Sequence, residues 1–88
     1  MIKKKIVLKN KTGLHARPAA LFVQTSNNFK SIINVSCNKR KADAKSILSV
    51  LTLGAEMGME IVIEINGSDE TEALQALAKL IENKFGEE

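Results

Sequence analysis

A single histidine, His15, stands in Gly13-Leu14-His15-Ala16-Arg17-Pro18, where a polar stretch gives way to an apolar run with helical spacing. A helix start presents backbone N–H groups without intrahelical partners and a partial positive charge, which together seat an anion. A neutral imidazole nitrogen in that position is a nucleophile, and Arg17 close by can clamp a phosphate. Residue type and spacing therefore point to phosphoryl chemistry at His15. The competing reading is a histidine that merely caps a helix or sits half-buried. Metal binding is disfavoured, because the chain holds one histidine and one cysteine, too few for the usual ligand sets. A Gly-rich nucleotide loop is also missing. No metal and no cofactor are expected.

The charge distribution supports an anionic ligand or partner. Residues 1–44 carry ten Lys/Arg against one acid, Asp43, whereas residues 45–88 carry three Lys against nine acids. His15 lies in the basic half. Many of these lysines simply solvate exposed faces, so the information is in the clustering. Tyr and Trp are absent and only Phe22, Phe29 and Phe85 are aromatic, which argues against a base-stacking nucleic-acid surface. Cys37 is alone, excluding an intramolecular disulfide and suiting a reducing, cytoplasmic location. It alternates with Ile33 and Val35, as a buried strand position would. No signal peptide follows Met1-Ile2-Lys3-Lys4-Lys5, and no run has the length of a membrane helix. The 88 residues are expected to form a single domain, 1–88, with one thin core.

The elements that must position His15 follow from periodicity. Ile2 to Leu8 reads as a strand whose phase is broken by Lys4, and Asn10-Lys11-Thr12-Gly13 reads as a turn. A helix is predicted from Ala16 to about Asn27, with Pro18 tolerated in its first turn. Its apolar face would comprise Leu14, Pro18, Leu21, Phe22, Thr25 and Phe29. Ile32 to Cys37 is a second strand, turned by Asn38-Lys39 into a short third that ends near Asp43. Ser46 is a good N-cap for a helix over Ile47–Leu53 that stops at Gly54. Glu60 to Asn66 alternates strictly and is the clearest strand. Asp69-x-x-Glu72 has the pattern of a capping box for a final helix bearing Leu74, Leu77, Ile81 and Phe85. The order β-α-β-β-α-β-α implies an α+β fold, a four-stranded antiparallel sheet covered on one face by helices.

Two segments then carry a family resemblance. Gly13-Leu14-His15-Ala16-Arg17-Pro18-Ala19-Ala20 resembles the phosphohistidine segment of HPr, the phosphocarrier of the bacterial sugar phosphotransferase system. Ala44-Lys45-Ser46-Ile47, followed by Leu51-Thr52-Leu53-Gly54, is similar to that family's second signature, around a regulatory serine. Gly67-x-Asp69-Glu70-x-x-Ala73-Leu74 also fits, so the likeness spans essentially the whole chain. It implies an open-faced β-sandwich and a carrier that is not itself an enzyme. His15 would take a phosphoryl group on Nδ1 from enzyme I and pass it to an enzyme IIA domain. The N–H groups of Ala16 and Arg17 would bind the phosphate, and the Arg17 side chain would stabilise the charge in transfer.

By the same resemblance, Ser46 would be the target of an HPr kinase/phosphorylase, creating a surface for a catabolite-control repressor. Its capping chemistry alone would also explain a serine there. Ile47, Leu48, Leu51 and Ala20 would form the docking patch for partner proteins. These apolar side chains could equally be core, but a short helix beside an active loop should leave one or two of them in solvent. The carrier is expected to act as a monomer, without nucleic acid and without membrane insertion. Three alternatives stay open: a nitrogen-branch paralogue, a basic RNA-binding module, and a structural interaction domain in which His15 is dispensable.

Overall fold

The computed structural model describes residues 1–87. Four strands, β1 (Ile2–Val7), β2 (Ile32–Cys37), β3 (Arg40–Asp43) and β4 (Glu60–Asn66), alternate with α1 (Ala16–Ser26), α2 (Ile47–Leu51) and α3 (Glu70–Glu82), and a 3-10 turn, Lys84–Gly86, follows. The sheet is antiparallel throughout, in the order β1-β4-β2-β3. Thus β4 is central although it is the last strand in the chain.

The strict alternation of β4 explains that placement. Ile61, Ile63 and Ile65 are all fully buried, and a strand whose whole apolar set faces the core must sit between two neighbours. Ile6 lies opposite Ile61, and Val35 lies between Ile63 and Ala42 in register. Phe22 of α1 and Leu77 and Ile81 of α3 complete the layer over this face. Cys37 is buried as its alternation implied, and its thiol is pushed up from its ordinary pKa by desolvation. The other face of the sheet is open, carrying Lys3, Lys5, Asn34, Ser36, Lys41 and Glu64. A 3.9 Å pair between Lys41 Nζ and Glu64 Oε1 crosses it. None of the three phenylalanines lies there, since Phe22 and Phe85 are buried and Phe29 packs on the core. The face offers no stacking platform for RNA.

Several expectations need correction. In α1 the buried face is Pro18, Ala19, Phe22 and Ser26, while Leu21 and Thr25 are only partly covered. Ser26 is admitted because its hydroxyl donates to Phe22 O at 2.8 Å, satisfying the polar group within the helix. The α2 helix is shorter than read, ending at Leu51 with Thr52 as cap. Gly54 adopts its left-handed φ of 62° beyond that cap.

The Asp69 capping box does not form. The Asp69 carboxylate accepts from Lys30 N at 2.8 Å, from Ser31 N at 3.0 Å and from the Ser31 hydroxyl. These donors at the start of β2 outnumber the N–H a capping box would supply. They hold the Asp69 carboxyl below its ordinary pKa, the Ser31 hydroxyl foremost. Phe85 does reach the core, but from the turn after α3, with Lys84 and Phe85 each at φ 54°. The Asn38-Lys39 turn forms as read, Asn38 at φ 50° and Lys39 at φ 68°, the pair of left-handed residues that suits a two-residue hairpin.

Candidate phosphate-transfer site

His15 is the N-cap of α1, with extended dihedrals (φ −125°, ψ 161°) and no side-chain hydrogen bond to its own helix. Its ring is therefore not spent on capping. Ala16, the first helical residue, has a left-handed φ of 48°, a conformation that costs a non-glycine residue about 1–2 kcal/mol. The N–H groups of Ala16 and Arg17 have no intrahelical acceptor, and Pro18 has no N–H at all. Ala16 and Arg17 are both exposed. Among the described residues Arg17 forms no ion pair. The structure thus brings His15, Ala16 and Arg17 together around an open, donor-rich helix start.

The loop ahead of His15 is held from two sides. Leu14 N donates to Ala55 O at 2.9 Å, and Leu8 pairs with Met59 and Gly58 through bonds of 3.0 and 2.8 Å. The chain over 8–14 therefore runs beside 55–59 as an extension of the β1–β4 pair. The approach is so close that a Cβ on Gly13 would lie 2.3 Å from Ala55 O, and Gly13 has φ 64°. No other residue fits there.

Asn10 organises the turn from inside. It is 1% exposed, and its Nδ2 donates to Gly13 O at 2.9 Å and to Glu87 Oε1 at 3.1 Å. Its Oδ1 is buried without a partner, a situation that costs roughly 1–3 kcal/mol. The acceptors gathered around Nδ2 fix the amide in this orientation nonetheless. In the sequence Asn10 reads as an ordinary turn residue and Glu87 carries no role. The only signal was the Asn-x-x-Gly spacing, which does not reveal burial.

Beside this loop α2 packs against α1 and presents an apolar surface. Leu48 is 74% exposed, Ile47 39% and Leu51 38%, so all three face solvent where one or two were expected. A five-residue helix makes fewer than two turns, and Val50 is its one buried residue. Ala20 is half-buried on α1. Ser46 caps α2, its Oγ accepting from Ser49 N at 3.3 Å. The junction before it is braced: Lys45 N donates to Asp43 Oδ1 at 2.9 Å, Asp43 N to Ser49 Oγ at 3.0 Å, and Lys45 Nζ to Phe29 O at 2.7 Å. Among the described residues no group of three His, Cys, Asp or Glu side chains could hold a metal. No described helix is long and apolar enough to cross a membrane.

The family model described as PTS HPr component phosphorylation site matches residues 2–83. The chain belongs to the HPr family. It is 45% identical to the phosphocarrier protein HPr of Cupriavidus necator over 87 residues, covering 99% of this chain and 98% of that protein. It is 40% identical to the HPr-like protein Crh of Bacillus subtilis, over 96% of this chain and 99% of the relative. The structure superposes on HPr-C-His from Thermoanaerobacter tengcongensis with a TM-score of 0.97 at 52% identity, covering 100% and 99% of the two chains. The resemblance and the open-faced α+β fold read from the sequence are thereby borne out, as is a phosphocarrier function in the phosphotransferase system.

Proposed function

We propose that His15 is the phosphoryl carrier, accepting from the phosphohistidine of enzyme I and donating to enzyme IIA domains. The observation that carries this reading is the N-cap His15 with no cap bond of its own, next to exposed N–H groups at Ala16 and Arg17. In the forward step the lone pair of neutral His15 Nδ1 attacks phosphorus. The P–N bond on the donor imidazole breaks as the new one forms. The electron pair of the broken bond stays on the departing nitrogen, so both rings keep their remaining proton. Arg17 and the two N–H groups meet the charge on the equatorial oxygens. Holding the group on an exposed loop rather than in a pocket keeps transfer reversible and open to both partners.

The apolar surface of Ile47, Leu48 and Leu51, with Ala20 beside it, is the docking patch for those partners. Ser46 is a second phosphorylation position, serving an HPr kinase/phosphorylase and a catabolite-control repressor. The braced Asp43–Ser49 junction supports a change of surface charge there without refolding. The working unit is one domain, 1–88, a cytoplasmic monomer. The Thermoanaerobacter HPr and B. subtilis Crh have also been seen as dimers, so sedimentation of this chain decides its state.

The test is incubation with enzyme I and labelled phosphoenolpyruvate. The expected product is an acid-labile, base-stable phosphoprotein, lost in His15→Ala. Label retained in that variant would overturn the assignment. Addition of one phosphate by a cognate kinase and ATP, absent in Ser46→Ala, tests the regulatory position separately.

A further inference from the structure

The loop that delivers His15 is contacted by an acid from the far side of the sequence. Glu87 Oε2 accepts from the Thr12 hydroxyl at 2.9 Å, and Glu87 Oε1 accepts from Asn10 Nδ2 at 3.1 Å, with Thr12 N at a longer 3.5 Å. One carboxylate thus engages two side chains of the Asn10–Gly13 turn, those of Asn10 and Thr12. Phe85, buried two residues earlier, anchors the segment that brings Glu87 across. The contact also favours the charged form, since the Thr12 hydroxyl, the Asn10 amide and the nearby Lys11 hold the Glu87 carboxyl below its ordinary value.

We infer that Glu87 is a positioning residue for phosphoryl transfer, a brace that sets the Asn10–Gly13 turn and through it the placement of His15. The reasoning runs through rigid connections. Asn10 Nδ2 also bonds Gly13 O, Gly13 is fitted against Ala55 without room for a Cβ, and Leu14 is tied to Ala55. A shift of Asn10 or Thr12 is therefore passed through Gly13 and Leu14 to the imidazole. Glu87 makes none of these contacts with α2, so its removal leaves the docking patch unaltered. The inference rests on His15 being the phosphoryl acceptor.

Steady-state phosphorylation by enzyme I, with amide hydrogen exchange at Thr12, tests the brace in the full-length chain. For Glu87→Ala, kcat should fall roughly fivefold, as a sub-ångström misplacement of a reacting group would produce, with KM for the carrier unchanged. Thr12 N–H exchange should quicken. Glu87→Gln, which keeps an acceptor for Asn10, should restore most of the rate. Thr12→Val should reproduce part of the loss and add little to Glu87→Ala, because Glu87→Ala already removes the Thr12 hydroxyl contact. An unchanged kcat in Glu87→Ala would overturn the inference, whether or not Thr12 exchange quickens. A raised KM at constant kcat would overturn it as well, by moving the effect to docking. Failure of the carrier reading is distinguishable, since it appears as label retained in His15→Ala and leaves the exchange measurement intact.

Discussion

At the start of α2, Ser46 turns its hydroxyl back on its own helix and accepts from Ser49 N; at the start of α1, His15 does not. Both N-caps are extended residues preceding helices that pack together. The difference lies in what happens to the unpaired donors. Ser46 satisfies one of them internally, which stabilises a helix too short to persist by propensity. His15 leaves them open, and Ala16 is held at a strained φ by a loop fixed to Ala55. Asp69, at the start of α3, shows a third outcome, because its carboxylate holds β2 instead. The residue at an N-cap thus states a capacity, and the neighbouring chain decides how that capacity is used.

The contrast can be broken in order of expected effect. His15→Ala should abolish phosphoryl acceptance yet change unfolding free energy by less than about 0.5 kcal/mol, since no cap bond is lost. A large loss of stability in denaturant titration would show that His15 is structural after all. Gly13→Ala should destabilise by roughly 3 kcal/mol, combining left-handed strain with overlap on Ala55. It should also slow acceptance, because the turn before His15 must move.

Ser46→Ala should do the reverse of His15→Ala, costing about 1 kcal/mol in the same titration while acceptance persists. Ala16→Gly should raise stability by about 0.5–1 kcal/mol, the relieved strain being partly offset by added freedom in the unfolded chain. A decrease in the thermal midpoint would mean that the φ of Ala16 is not strained in solution. The smallest effect concerns pH. Asp69 is held below its ordinary pKa in the folded state, so the unfolded chain binds the proton more readily. Its contribution is complete above the ordinary carboxylate value and is lost as pH falls through the lowered one. Wild type should therefore lose more stability than Asp69→Asn between pH 6 and pH 3, and parallel curves would exclude the Ser31 and Lys30 contacts as the cause.

Much of this was legible in the chain. The isoleucines of β4, the Asn38-Lys39 turn and the cap at Ser46 are local patterns, set by pleat, backbone handedness and a side chain reaching three residues ahead. The place of His15 at the start of α1 was legible because helix-start patterns are also local. Asp69 was misread because its capping pattern competed with donors at Lys30 and Ser31, which are distant in sequence. Leu21 and Thr25 are less covered than their spacing implies, and Ser26 more, since burial on α1 depends on where the sheet lies and on an internal bond from Ser26 to Phe22 O. The exposure of Ile47, Leu48 and Leu51 together could not be read from apolar spacing, which describes a face without saying what covers it.

By itself the sequence determined the elements, the inward set of each strand and the place of its one histidine at a helix start. These depend on interactions within a few residues. Only the tertiary structure decided that β4 is central, that Ala55 forces Gly13 to be glycine, and that Glu87 reaches Asn10 and Thr12. Those are contacts between segments far apart in the chain, and their energies exist only once the core has brought the segments together.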